Sequence, residues 1–414
     1  MVDNNKLTDM LFQTPTLTET ERSVVDRIDE MRDALRHQLT TPHRWVGLLR
    51  RVMLARAILG SNSIEGYVVS LDDAHAAVGG KGPTDGDDEA LLAVAGYRDA
   101  MTYVIQLAED PQFTYDETLI RALHFMMLRY DMTKSPGRWR PGPVYVNDER
   151  LQEVVYTGPD ALTLPDLMRE YTRELREDDD GQPVMVRAAM AHLNLVMIHP
   201  FRDGNGRMAR CMQTLVLARE GIVAPPFSSI EEYLGENTEA YYEVLGQVGL
   251  STYHPERDAR PWVRFVLSAH LRQAQRLARR AQEAERRWDA IASEIAKRGL
   301  HERAVAPVFN AALGLRLRNA TYREAADVSD LIATRDLKAL AAAGLLDPEG
   351  EKRGRSYVAA PALRRIEEAI RLPRTPIEDP FAAVQQPSLW TSATPSTSTA
   401  LRRPPLHSPT SGQD

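Results

Sequence analysis

A single cysteine, Cys211, stands in the whole 414-residue sequence. That excludes an internal disulfide framework and a cysteine-rich zinc site. It suits a reducing compartment, so the cytoplasm is the expected location. Long apolar runs are missing too. None approaches the roughly 20 residues a helix needs to span a bilayer, so no membrane partner is expected. The opening stretch, Met1 to Ser23, is polar and acidic and does not read as a secretory signal. Nor is there an excess of positive charge. With 51 Lys and Arg against 58 Asp and Glu, the formal net charge is −7. Such a balance excludes a protein that coats nucleic acid over its whole surface, but it leaves room for a local basic module. What remains is an ordinary globular composition, 43% hydrophobic and 26% charged, long enough for more than one domain.

The dominant pattern is helical. Apolar residues recur three and four apart over Trp45–Leu59, Ala90–Leu107, Asp116–Leu128, Val184–Ile198, Met208–Arg219 and Pro261–Lys297. One segment differs. Val144, Tyr145 and Val146, then Val154, Val155 and Tyr156, alternate around a polar stretch and predict a β-hairpin. Gly79–Asp88 contains Gly-Gly-Lys but lacks the spacing of a phosphate loop and the strand before it, so it is read as a plain loop. From about Arg374 the chain is rich in Pro, Ser and Thr and poor in aliphatics, and it is expected to be disordered. His124 and His192 lie inside helical stretches and read as packing residues. Cys211 reads as a small buried hydrophobe, Trp262 and Phe265 as core, and Arg276–Arg287 as a solvated or interface face.

The chemistry concentrates in His199-Pro200-Phe201-Arg202-Asp203-Gly204-Asn205-Gly206-Arg207-Met208-Ala209-Arg210. The helix before it must stop near His199, because a residue preceding proline is pushed out of the α region. A new helix starts near Asn205 or Gly206. Glycines around Asn205 let backbone N–H groups converge, and the helix start adds unpaired N–H groups and the positive end of a dipole. This is an anion cradle of the kind that takes phosphate. Arg207 and Arg210 share one face of the first turn, where each positive charge costs about 0.3–1 kcal/mol unless something negative is held there. His199 is placed to act as a base near neutral pH. Asp203 is the hard oxygen ligand that Mg²⁺ on a nucleotide phosphate requires.

That string matches the Fic family signature H-x-F-x-[DE]-G-N-G-R-x-x-R at every defined position, and the chain is identified as resembling this family. The resemblance implies a nucleotidyltransferase that moves AMP from ATP to a hydroxyl of a target protein. It further implies that His199 takes the proton from a Ser, Thr or Tyr hydroxyl and that Phe201 anchors the loop in the core. Asp203 would hold Mg²⁺ against the α- and β-phosphates. Gly204, Asn205 and Gly206 would form the anion hole, Arg207 would contact the phosphates, and Arg210 would reach the γ-phosphate. Gly137-Arg138-Trp139-Arg140 and the hairpin after it resemble the family's flap, which aligns the target by strand addition along Val144, Tyr145 and Val146.

Ser61-Asn62-Ser63-Ile64-Glu65-Gly66 follows a helical stretch and matches the family's inhibitory pattern, [ST]-x-x-x-E-[GN]. Ser61 and Glu65 share a helix face, and Gly66 suits a helix stop. The resemblance implies that Glu65 pairs with Arg210 in the place of the γ-phosphate. Residues 301–372 resemble a winged helix-turn-helix, with Thr334, Arg335 and Lys338 facing outward on the second helix and Lys352, Arg353 and Arg355 on the wing. Its apolar pattern reads as self-contained.

The expected architecture is mainly α. It runs from an N-terminal helical region with the inhibitory helix (1–110) through a Fic core with a β-hairpin flap (111–270) and a linker helix (271–300). A winged-helix domain (301–372) and a tail (373–414) follow. The expected function is protein adenylylation with ATP as substrate and Mg²⁺ as cofactor. The alternatives are a nucleotide-sensing transcriptional regulator and an enzyme that transfers another phosphate-linked group. DNA at the winged helix and a homodimer are partners the sequence leaves open.

Overall fold

The structure is a computed structural model that describes residues 10–40, 43–80, 88–148, 153–177, 181–219, 229–351, 354–373 and 379–382. The expected tail from 373 lies outside these residues except for 373 and 379–382, and so do 81–87 of the Gly-rich loop and 149–152 at the hairpin tip. Among the described residues, no helix is long and apolar enough to cross a membrane.

Among the described residues, five α-helices precede the hairpin: α1 (Glu19–Thr40), α2 (Val46–Ile64), α3 (Leu71–Val78), α4 (Glu89–Ala108) and α5 (Glu117–Leu128). Ser70, Asp88 and Asp116 cap the last three, each accepting a first-turn backbone N–H with its side chain. Strands β1 (Tyr145–Asp148) and β2 (Glu153–Thr157) pair antiparallel, with the register shifting between Val146 and Asn147. Then come α6 (Leu164–Arg176), α7 (Val184–Ile198), α8 (Asn205–Arg219), α9 (Glu231–Glu236), α10 (Thr238–Gly249) and the long α11 (Arg260–Lys297).

Helices α7 and α8 are the centre of the molecule. Both are buried on nearly every face, which explains why their apolar residues do not follow a single stripe. Asn194 of α7 accepts the Phe12 N–H at 2.9 Å, and the Trp262 indole of α11 donates to the Ala189 carbonyl at 2.7 Å. These bonds fix the helix that ends at His199. Helix α2 crosses α9 where Gly60 meets Glu231, Glu232 and Gly235. A Cβ on Gly60 would overlap the Glu231 carbonyl, so the close crossing needs glycine.

Helix α11 has 38 residues and spans about 57 Å. It is continuous from the core expected to end at 270 through the expected linker. Beyond it lie α12 (Val305–Ala312), α13 (Asn319–Ala326), α14 (Asp330–Ala342), the antiparallel hairpin β3 (Leu346–Glu349) and β4 (Ser356–Ala359), and α15 (Pro361–Ile370). The apolar core under these elements is not self-contained, contrary to the expectation from the sequence. It continues into Trp45 just before α2, into Leu48, Leu49, Val52 and Met53 at the start of α2, and into Leu277, Ile291 and Ile295 of α11. Arg316 reinforces the junction, its backbone N–H donating to Asp72 of α3 at 2.6 Å.

Candidate active site

Helix α7 ends on His199, which takes the left-handed conformation at φ +52° and donates its N–H to the Leu195 carbonyl at 3.0 Å. Its Nδ1 lies 3.0 Å from the Val196 carbonyl. A carbonyl can only accept, so Nδ1 carries the proton and Nε2 keeps its lone pair for another proton. Burial lowers the pKa of this imidazole, outweighing the hydrogen bond to Val196, so the neutral form prevails at pH 7.

The loop after His199 is closed on itself. The Asn205 side chain accepts the Phe201 N–H and donates to the Phe201 carbonyl, both at 2.9 Å. The sequence reading gave Asn205 to the anion hole, but its side chain is taken up as this clamp. What it offers an anion is its main-chain N–H, together with those of Gly206 and Arg207. These precede the first bond of α8, from Met208 N to Gly204 O at 2.9 Å. Gly204 sits at φ +76°, and a Cβ there would press on Leu128. The left-handed backbone at Gly204 calls for glycine, whereas a Cβ on Gly206 would come within 2.5 Å of Glu65 Oε1 and push that carboxylate aside.

Phe201 is fully buried and stacks on His124 at 3.6 Å between centroids. His124, read from sequence as packing, also braces the loop. Its Nδ1 accepts the Gly137 N–H at 2.8 Å, which leaves Nε2 to donate to the Asp203 carbonyl at 2.9 Å. Burial lowers its pKa to about 4, so it stays neutral. His192 is a packing residue bonded to Gln213 and Tyr241. Arg140 ties the flap base to the loop, donating from Nε to the His199 carbonyl at 2.8 Å and from Nη2 to the Pro159 carbonyl at 2.6 Å. Neither brace was assigned such a role from sequence. Each acts through contacts with residues far away in the chain, and no local pattern announces them.

Asp203 accepts the Gly204 N–H on Oδ1 at 2.6 Å and holds the Lys134 ammonium 3.3 Å from Oδ2. A cation therefore already rests on the oxygen expected to bind metal. The described residues gather no cluster of three His, Cys, Asp or Glu, so a metal here would need phosphate oxygens to complete its shell.

Arg207 and Arg210 are each 1% exposed. Arg210 donates from Nε to Ser61 Oγ at 2.8 Å, and from Nη2 to the Ser61 carbonyl at 2.9 Å and to Glu65 Oε1 at 2.7 Å. Burial alone would lower its pKa, but Glu65 beside it raises it. Ser61 lies inside α2, Glu65 is the residue just past its end, and Gly66 turns the chain away at φ +82°. The Nη1 of Arg210, and the Nε and Nη1 of Arg207, are buried without a hydrogen-bond partner. Buried N–H groups on two guanidiniums at a helix start fit an oxyanion. Behind Arg210, Glu231 accepts from the Tyr97 hydroxyl at 2.8 Å, and burial raises its pKa to about 7.

The flap stands over this site. The Tyr156 hydroxyl donates to the Met197 carbonyl at 2.6 Å, anchoring β2 on the last turn of α7. The outer edge of β2 is partly covered, its Thr157 bridging Thr252. Strand β1, with Tyr145 54% exposed and Val146 half-buried, pairs with no second strand among the described residues. Val144 is half-buried just before it.

The Fic/DOC family pattern matches residues 114–217, which contain the flap, α7, the loop and α8 up to Leu217. The chain carries a Fic/DOC domain. It is 30% identical over 276 residues to a protein adenylyltransferase Fic of Nematostella vectensis, covering 64% of this chain and 58% of that one. A protein adenylyltransferase Fic of Drosophila yakuba is 31% identical over 254 residues, covering 59% and 47%. The chain thus spans only about half the length of these curated relatives. A Fic family protein from Desulfovibrio desulfuricans G20 shares the fold over 84% of this chain and 99% of its own, with a TM-score of 0.54 at 23% identity. A Fic domain-containing signaling protein from Bacteroides thetaiotaomicron shares it over 62% and 96%, with a TM-score of 0.51 at 21% identity.

In the C-terminal part, Arg335 and Lys338 of α14 and Arg355 at the hairpin are exposed. Thr334, expected to face outward, instead accepts from Asn319 Nδ2 at 2.8 Å. Asp336 turns inward, accepting from Arg303 at 2.7 Å and from the Tyr322 hydroxyl at 3.0 Å. Lys352 and Arg353 lie outside the described residues.

Proposed function

We propose that the chain is a protein adenylyltransferase held in check by Glu65. The observation that carries this reading is the pair of buried, incompletely satisfied arginines on the first turn of α8, one of them occupied by Glu65, directly beside a neutral His199 with a free Nε2. ATP would lay its phosphates across the N–H groups of Asn205, Gly206 and Arg207, with Arg207 on the α- and β-phosphates and Arg210 on the γ-phosphate. A target segment would add to the open edge of β1 and bring its hydroxyl over His199. His199 Nε2 takes the hydroxyl proton as the oxygen forms a bond to the α-phosphorus. The bond from that phosphorus to the bridging oxygen breaks, and pyrophosphate leaves with the electron pair. Asp203 fits Mg²⁺, because Oδ2 already supports a cation, and the metal would neutralise charge on the phosphates. In the resting chain Glu65 fills the place of the γ-phosphate on Arg210.

The test is mass spectrometry of the chain and co-purified proteins after incubation with Mg²⁺ and each nucleoside triphosphate. An AMP adduct that requires ATP is expected. An adduct of another phosphate-linked group, or none from wild type and Glu65→Gly alike, overturns the reading.

A second activity has its own observation. With Asp336 turned inward, Arg335 and Lys338 of α14 and Arg355 at the hairpin stay exposed, beside the exposed acids Asp330, Glu349 and Glu351. This favours a winged-helix module that contacts DNA. Duplex binding should weaken steeply with salt, and Arg335→Ala should reduce the salt slope by about one. Absence of binding at low salt assigns the face to another role.

A further inference from the structure

Glu65 accounts for Arg210 but leaves open what closes off Arg207. Arg207 is as buried as its neighbour, yet no carboxylate among the described residues pairs with it, and its Nε and Nη1 have no partner. The group resting on it is the ring of Tyr67, whose centroid lies 5.0 Å from the guanidinium carbon. An aromatic face is one of the few neutral surfaces that offsets the cost of a buried cation without competing for its N–H groups. Tyr67 stands just past Gly66, the residue at φ +82° where the chain leaves α2, so it belongs to the same segment as Glu65.

That ring is held from outside as well. The Tyr67 hydroxyl accepts from Lys134 Nζ at 2.9 Å, and the same ammonium reaches Glu89 Oε1 at 2.9 Å and Asp203 Oδ2 at 3.3 Å. Tyr130 donates to the hydroxyl at 3.3 Å. One short segment therefore touches both arginines of the Fic motif and, through Lys134, the carboxylate beside them. Glu65 occupies Arg210, Tyr67 covers Arg207, and the Lys134 ammonium tethers Tyr67 to Asp203.

We infer that Tyr67 is a second closing residue, one that limits access of the α- and β-phosphates to Arg207 as Glu65 limits access of the γ-phosphate to Arg210. This rests on the nucleotide reading above and adds a distinct consequence. Glu65 discriminates only against ligands that carry a γ-phosphate. Tyr67 acts on any nucleotide with an α,β-diphosphate, so it sets affinity for ADP as well as ATP. The chain then closes its phosphate site at two points with residues two positions apart, hinged at Gly66.

The two roles separate in a binding experiment on the full chain that needs no turnover. Isothermal titration calorimetry would be run with ADP and with α,β-methylene-ATP, whose carbon bridge blocks transfer. Tyr67→Ala should tighten both ligands by about tenfold, the gain expected if the uncovered state is populated about one part in ten. Glu65→Gly should tighten the triphosphate analogue and leave ADP within about twofold of wild type. Tyr67→Phe keeps the ring over Arg207, should fold as wild type does, and should leave ADP affinity within about twofold. Three results overturn the inference: ADP affinity unchanged or weakened in Tyr67→Ala, a gain confined to the triphosphate, or a full gain in Tyr67→Phe. Were Tyr67→Ala to misfold, Tyr67→Leu, which keeps bulk but loses the aromatic face, carries the same expectation. If no variant binds any nucleotide, the nucleotide reading itself fails. A gain with Glu65→Gly but none with Tyr67→Ala removes the Tyr67 role alone.

Discussion

The loop from His199 to Gly206 and the segment from Ser61 to Tyr67 meet at the same two arginines, but they are held in opposite ways. The loop is locked by bonds that no ligand replaces: Asn205 to both polar groups of Phe201, His124 to the Asp203 carbonyl, and Arg140 to the His199 carbonyl. The segment reaches the site through contacts a polyphosphate could take over: Glu65 on Arg210 and the Tyr67 ring on Arg207. The contrast separates preorganisation from control. Groups that must keep their geometry through a reaction are fixed by internal hydrogen bonds. Groups that must yield rest on the arginines that a ligand would use.

The contrast can be broken most severely at the base. His199→Ala should lower AMP transfer by about 10²–10⁴-fold while leaving Tm and nucleotide affinity near wild type. Because burial lowers the His199 pKa and the base must be neutral, the acid limb of the pH–rate profile should lie below the ordinary 6.5. A limb at or above 6.5, or native transfer in the alanine variant, would remove the histidine from the chemistry.

Next comes the clamp. Asn205→Ala strands a buried N–H and a buried carbonyl on Phe201, at about 1–3 kcal/mol each. It lets the loop relax, and a displacement of about 1 Å at a reacting group costs about 10²-fold in rate. Denaturant unfolding and transfer rate should both respond. If stability holds while the rate falls, the Asn205 side chain acts on the ligand and not as a clamp.

The smallest change in rate should come from the yielding side, and in the other direction. Glu65→Gly should raise transfer about tenfold or more, the effect of removing a competing contact worth about 1.4 kcal/mol or more. Without ligand it should also lower stability by about 2 kcal/mol, less than for a fully buried pair because the Glu65 side chain is 23% exposed. Saturating ATP should recover much of that loss in a thermal-shift measurement. A stability loss that ATP does not reverse, with transfer unchanged, would leave Glu65 a structural residue only.

The sequence made some of this legible and hid the rest for identifiable reasons. The ends of α7, the start of α8 and the flap hairpin follow from local rules: proline after His199, glycine around Asn205, alternation around Val146. Local rules also place Ser61 and Glu65 together, since a helical turn connects them. Tyr67, Lys134, His124 and Arg140 escaped assignment because each works across the fold. His124 reaches Asp203 from α5, and Lys134 reaches it from the turn before the flap. A histidine inside a helix looks the same in sequence whether it fills space or braces a loop. The apolar residues of Trp45–Met53 were equally ambiguous, since α2 is buried on several sides and shows no clean stripe.

That last feature bears on how the protein can be divided. The first half of α2 lies in the same apolar core as α12 to α15, and its far end carries Ser61 to Arg210 and leads directly to Glu65. A chain trimmed after Lys297 would remove part of the apolar core to which Trp45, Leu48, Leu49 and Val52 belong. Helix α2 would keep its packing on α3, α4 and α9, while its first half would lose one wall of its apolar core. The segment that carries Ser61 and Glu65 and the C-terminal helices therefore share one core. A recombination that exchanged the Fic domain alone would transplant the chemistry without its restraint.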